Sequence, residues 1–109
     1  MIIDTGSEKY PIRYGMNALA LFGDLTEQPM NKVMESLNDL TALKISEVLA
    51  FVYVGFVDGA RKAGEECKVK DIDQVGDMLD EDAELLTKAI SAFQEDSENE
   101  EEVEDTKKK

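Results

Sequence analysis

The chain has 109 residues, with 25 acids against 12 bases for a net charge of −13, one cysteine, two prolines and no histidine. That length holds one small domain with a modest core, and that charge speaks against nucleic-acid binding, because neutralising phosphates needs clustered Lys and Arg. Without histidine there is no Ser-His-Asp, Cys-His or His-zinc chemistry, and one cysteine makes neither an internal disulfide nor a thiolate zinc site.

Residues 95–109 hold eight of the acids and three lysines, leaving 17 acids and 9 bases in residues 1–94, so the acidity belongs to the domain as well as to its tail. Met1-Ile2-Ile3 is followed at once by Asp4, which is not the start of a signal peptide. The longest uncharged apolar run, Val48 to Val57, would span about 15 Å as a helix, half of a bilayer core. A cytoplasmic protein with no membrane span is expected.

In chain order, residues 1–4 and 9–14 are short β-prone runs around a turn at 5–8, a hairpin whose alternation puts Tyr10, Ile12 and Tyr14 on one face. Pro11 pushes its strand to an edge. A first helix is expected with Asn17 as N-cap and Leu19, Phe22 and Leu25 or Thr26 facing inward, Met16 stapling against Leu21. Pro29 suits the first position of a second helix, in which Met30, Val33, Met34, Leu37 and Leu40 recur at three- and four-residue steps.

The stretch 45–63 is the most apolar of the chain. As a helix it gathers Ile45, Val48, Leu49, Val52, Phe56 and Ala60 on one face and Lys44, Glu47, Asp58, Arg61 and Lys62 on the other. Phe51 and Val54 interrupt the polar side, so the middle turns must be covered all round. Either the rest of the chain covers them as core, or they form an apolar recognition patch. Gly64 is placed as a left-handed stop. Gly55 and Gly59 suggest that another helix approaches the backbone closely, or that two copies pair there. Asp58 with Arg61 and Lys62 reads as exposed ion pairs.

A polar connector, 65–70, holds Cys67, read as an incidental exposed thiol. Asp71 and Gln74 make a variant capping box for a short helix with Ile72, Val75 and Met78 or Leu79 inside. A last helix over 82–94 buries Leu85, Leu86, Ala89, Ile90 and Phe93. Residues 95–109, ending in Lys107-Lys108-Lys109, are too polar to offset their ordering entropy and are expected to be disordered. The fold class is therefore mainly helical: a short N-terminal hairpin and about five helices around a central apolar one, residues 1–94, then an acidic tail.

No Gly-rich phosphate loop or catalytic constellation is present, and a non-enzymatic protein without cofactor is expected. The segment 71–82 mimics a calcium loop, with Asp71, Asp73, Asp77 and Asp82 as its acids. However, Val75 offers no oxygen at the fifth position and Asp82 is shorter than the bidentate Glu of such loops. Ile72, Val75 and Leu79 fit a helical stripe better. Met30, Met34 and Met78 fill a core or offer adaptable contact surface.

The order of these elements, with Tyr10-Pro-Ile-Arg-Tyr-Gly-Met-Asn-Ala-Leu19, Phe-Gly-Asp-Leu-Thr26, Glu-Val-Leu-Ala-Phe-Val-Tyr-Val-Gly-Phe56 and Val-Gly-Asp-Met-Leu-Asp80, resembles the tail assembly chaperones of long-tailed bacteriophages. The likeness is to the short form encoded before the tape measure protein and covers residues 1–94. It implies a non-enzymatic protein of the host cell cytoplasm that shields the tape measure protein until tail-tube subunits polymerise, and that is absent from the virion. It also implies as partners the major tail protein, a frameshifted longer form and further copies of itself. The terminal lysines are compatible with an adenine-rich slippery site, or are simply the end of a charged tail. Two other classes fit the acidity: a calcium-binding regulator using 71–82, and a nucleic-acid mimic that occupies a basic protein site. Candidate protein-contacting residues are Phe51, Val54, Met30 and Met34.

Overall fold

A computed structural model describes the backbone of residues 2–6 and 8–108, and side chains as far as Asp96. Met1, Ser7, Lys109 and the side chains from 97 onward lie outside the described residues, while the backbone of 95–108, expected to be disordered, continues the last helix as far as Lys108. The order is β1 (Ile2–Asp4), β2 (Lys9–Pro11), α1 (Met16–Thr26), α2 (Met30–Asn38), a 3₁₀ turn (Leu40–Ala42), α3 (Ile45–Ala63), α4 (Ile72–Glu81) and α5 (Glu84–Lys108). The chain is mainly helical with a short N-terminal hairpin, as its patterning implies. Among the described residues, no helix is long and apolar enough to cross a membrane.

The hairpin pairs Ile3 with Tyr10, antiparallel, between Ile2↔Pro11 and Asp4↔Lys9. Gly6 takes a positive φ of 91° in the turn, a conformation that costs a residue without Cβ nothing. Asp4 Oδ1 accepts from its N–H at 2.8 Å. Ile3 is buried between exposed Ile2 and Asp4, as strand alternation requires. Two strands are marginal alone. Here the chain stays extended beyond β2 and lies on α3: Arg13 N–H donates to the Gly55 carbonyl at 3.0 Å, and Ile12 and Tyr14 are buried.

The residue before α1 is Gly15, not Asn17, and no side chain caps that end. The Gly15 N–H is held instead by a buried carboxylate of α3. Ala18, Leu19 and Phe22 face inward, while Leu25 and Met16 are exposed, so the expected staple of Met16 onto Leu21 gives way to the deeper tie at Gly15. Pro29 is the N-cap of α2, one position earlier than its sequence placement. Asp39 closes the 3₁₀ turn by accepting from Thr41 N–H and Oγ1.

α3 is the core of the molecule. It packs against α1, α4, β2 and α5, which answers how a helix apolar all round its middle is accommodated. At its start Glu47 Oε1 accepts from Lys44 N–H at 2.9 Å. At its end Gly64 takes φ 74°, and Glu65 N–H closes the last turn on the Ala60 carbonyl. Asp71 Oδ1 caps α4 through Gln74 N–H at 2.8 Å, and Gln74 Oε1 returns to Lys70 N–H at 2.9 Å, the predicted capping variant. α5 lies beside α3 through Leu85, Ala89 and Ala92.

Candidate interaction surfaces

The two residues where core and recognition compete are both core. Phe51 is 2% exposed and Val54 1%. Phe51 stacks on Tyr14 with ring centroids 4.6 Å apart and meets Phe93 and Phe22 edge-on at 5.6 and 6.5 Å. Offset and edge-on pairs are the favoured aromatic geometries. As candidate contact residues Phe51 and Val54 are thus corrected: α1, α5 and the strand segment close over Phe51, and Val54 is buried with it. Only one edge of Phe51 still lines a groove, described below.

Met30 and Met34 keep their place as surface candidates. One turn apart on α2, they are 52% and 49% exposed, while Val33 and Leu37 take the inward positions. Met78 is half-buried against the core. The four acids of the calcium-loop pattern do not converge. Asp71 and Asp82 flank the ten-residue helix α4, about 15 Å long, and Asp71 is engaged as its cap. Among the described residues, no group of three or more His, Cys, Asp or Glu side chains is arranged to hold a metal ion. Cys67 is half-buried rather than exposed, its Sγ donating to the Val69 carbonyl at 3.2 Å.

The polar centre that sequence patterning misses is Asp58. Its side chain is 1% exposed and takes four donors. Oδ2 accepts from Arg13 Nη1 and Gly15 N–H, each at 3.0 Å. Oδ1 accepts from Arg61 Nη2 at 2.8 Å and Nε at 3.2 Å. A buried carboxylate is tolerated when its lone pairs are filled and its charge is matched. Gly55, Asp58 and Gly59 fall on one face of α3 at steps of three and one. The glycines leave room there for residues 11–14: a Cβ on Gly55 would stand 2.5 Å from the Tyr14 ring, and one on Gly59 would collide with the Pro11 backbone. What approaches the glycines is therefore an extended segment, neither a helix nor a second copy. The signal was in the sequence as a Gly-x-x-Asp-Gly face, but Arg61 at i+3 offered a sufficient surface partner.

Tyr14 locks the same corner. Its hydroxyl donates to the Phe51 carbonyl at 2.8 Å, and its N–H donates to Asp96 Oδ2 at 2.8 Å. Burial first, and the Asp96 charge second, push the phenol well above its usual value of 10. Asp96 falls in the stretch predicted as tail, yet it is tied to the hairpin side of the domain. Farther along, Lys68 bridges to Glu8 at 2.9 Å and to the Lys9 carbonyl at 3.0 Å, an exposed clasp in which the lysine lowers the Glu8 carboxyl below its ordinary value.

An apolar groove of about 270 Å³ opens between the 3₁₀ turn, the first turns of α3 and the start of α5. Leu40, Leu43, Val48, Phe51, Leu86 and Ile90 line it, with Thr41 as the one hydroxyl. Ile45, three residues before Val48 and on the same helix face, is 80% exposed. Its predicted inward position is corrected: the chain reaches the first turn of α3 at Glu47, through Gln28, and leaves Ile45 in solvent. On the other side of Leu43 is a polar recess of about 370 Å³ with Glu35, Asp39 and Glu47 in its wall, and Lys32 as its one base.

No protein-family model, curated protein or solved structure matches the chain.

Proposed function

We propose that the chain is a tail assembly chaperone of a long-tailed bacteriophage, which binds the tape measure protein and keeps it from aggregating until tail-tube subunits enclose it. It acts in the host cell cytoplasm as a binding protein rather than an enzyme. The reading is carried by where the resembling segments fall. Residues 10–19 make the hairpin-to-α1 corner, 47–56 the first half of α3, and 75–80 most of α4, all in one acidic helical domain that leaves apolar surface open. Apolar contact surface on an acidic body suits a factor that holds a long helical client while repelling other copies of the complex.

The test is co-expression with the very long gene product encoded next downstream. With the chain present, that product stays in the soluble fraction and the two elute together. If the product were equally soluble alone and no complex eluted, the reading would fail. Sequencing the codons for Lys107-Lys108-Lys109 separately tests a frameshifted longer form, which requires a slippery heptamer and an overlapping frame.

A further inference from the structure

The groove at the start of α3 is an unfinished helix-packing surface. Val48 and Phe51 form one wall, and Leu86 and Ile90, one turn apart on α5, form the other, with Val48, Leu86 and Ile90 all half-buried. Apolar rows with a helical-turn repeat accept the i, i+4 anchors of a further helix. Ile45 extends the α3 row into solvent. The border of the groove sets the charge of the occupant. Across Leu43 stand Glu35, Asp39 and Glu47, and the single lysine of that recess, Lys32, is paired with Glu35 at 3.8 Å. Lys44 and Lys88 on adjoining turns are outnumbered by Asp82 and Glu84 together with those three acids.

We infer that this groove takes one cationic amphipathic helix of a polypeptide partner. Its apolar side chains would lie on Val48, Leu86 and Ile90, and its lysines or arginines toward Glu35, Asp39 and Glu47. The inference rests on the chaperone reading and narrows it to one class of client segment.

The probe is a fluorescein-labelled synthetic peptide of about five helical turns, with leucines at i, i+4 and i+7 and lysines on both flanks. It is titrated against the full chain at about 0.15 M salt, which shortens bare charge attraction to about 8 Å. Saturable binding is expected, with amide NMR shifts confined to residues 35–51 and 86–90. Ile45→Gln and Ile90→Gln should each weaken binding about tenfold. Ile45 is exposed, so its variant keeps the fold and any loss reports contact. Unchanged binding by both variants, or equal binding of a peptide with glutamates for lysines, overturns the inference. So does concentration-dependent dimerisation that Ile45→Gln abolishes, which would assign the groove to a second copy. If the tape measure protein co-elutes equally with wild type and both variants, the groove assignment falls and the chaperone reading stands. If the peptide binds as expected but the tape measure protein never co-elutes, the chaperone reading falls and the groove assignment stands.

Discussion

Both halves of α3 are apolar, yet they meet different surroundings. From Gly55 to Ala60 the helix is covered by the segment 11–15, with Asp58 satisfied by two arginines and a backbone amide. At the other end Ile45 stands in solvent and Val48 is half covered. The covered half is paired with a polar anchor and glycines that admit a specific strand. The open half is tied at its polar edge, where Glu47 accepts from Gln28 Nε2 at 3.3 Å, but its apolar rows keep a repeat that a further helix would match. Hydrophobicity alone does not distinguish a core stripe from a contact stripe; the presence of a shaped, hydrogen-bonded partner within the chain does.

The contrast can be broken most severely where the halves meet. Phe51→Ala removes the ring that Tyr14, Phe22 and Phe93 enclose and should cost about 3–5 kcal/mol, read as a lower urea midpoint. If stability held and only client binding fell, Phe51 would belong to the open half. Next comes Asp58→Ala. Arg13 and Arg61 can turn to water, being 38% and 51% exposed, but the Gly15 amide cannot. A loss of about 3 kcal/mol is expected, with the hairpin amides exchanging faster than those of α4. Asp58→Asn should recover part of it by keeping one acceptor.

Tyr14 gives a smaller, pH-dependent effect. Its folded pKa lies well above 10 while the unfolded chain titrates near 10, so the folded state holds the proton longer. Stability is unaffected by this group below pH 10 and declines above it, at up to about 1.4 kcal/mol per pH unit. Tyr14→Phe should remove that part of the slope in denaturation curves between pH 9 and pH 11, measured against wild type. The smallest effect belongs to the open end. Ile45→Gln should shift stability by less than about 0.5 kcal/mol, and a larger loss would mean that the first turn of α3 is packed after all.

Much of this architecture was legible beforehand where local patterning and tertiary packing agree. α3 has the expected bounds because its apolar run ends at a glycine able to take a positive φ. α4 begins at Asp71 because a capping side chain is a local device, visible four residues at a time. The errors lie where the deciding partner is remote. Asp58 reads as a surface acid because Arg61 and Lys62 stand beside it in sequence, while Arg13 arrives from 45 positions away. Asn17 is the better cap by type, yet Gly15 holds the position because its N–H reaches Asp58. Ile45 continues the inner stripe of α3 by periodicity, but periodicity cannot say how far the neighbouring elements extend. The groove was invisible for the same reason: its walls are three segments, and their failure to close is a property of the assembled domain.

The seat of residues 11–15 on the Gly55–Asp58–Gly59 face also has a consequence for biosynthesis. The hairpin leaves the ribosome ahead of its anchor, which is 45 residues behind it, and the Asp96 tie to Tyr14 is 82 behind. At about 5–20 residues per second, the N-terminal segment waits several seconds for each. In that interval Ile3, Ile12 and Tyr14 have no core to enter, so the nascent chain itself passes through a stage in which it needs shelter.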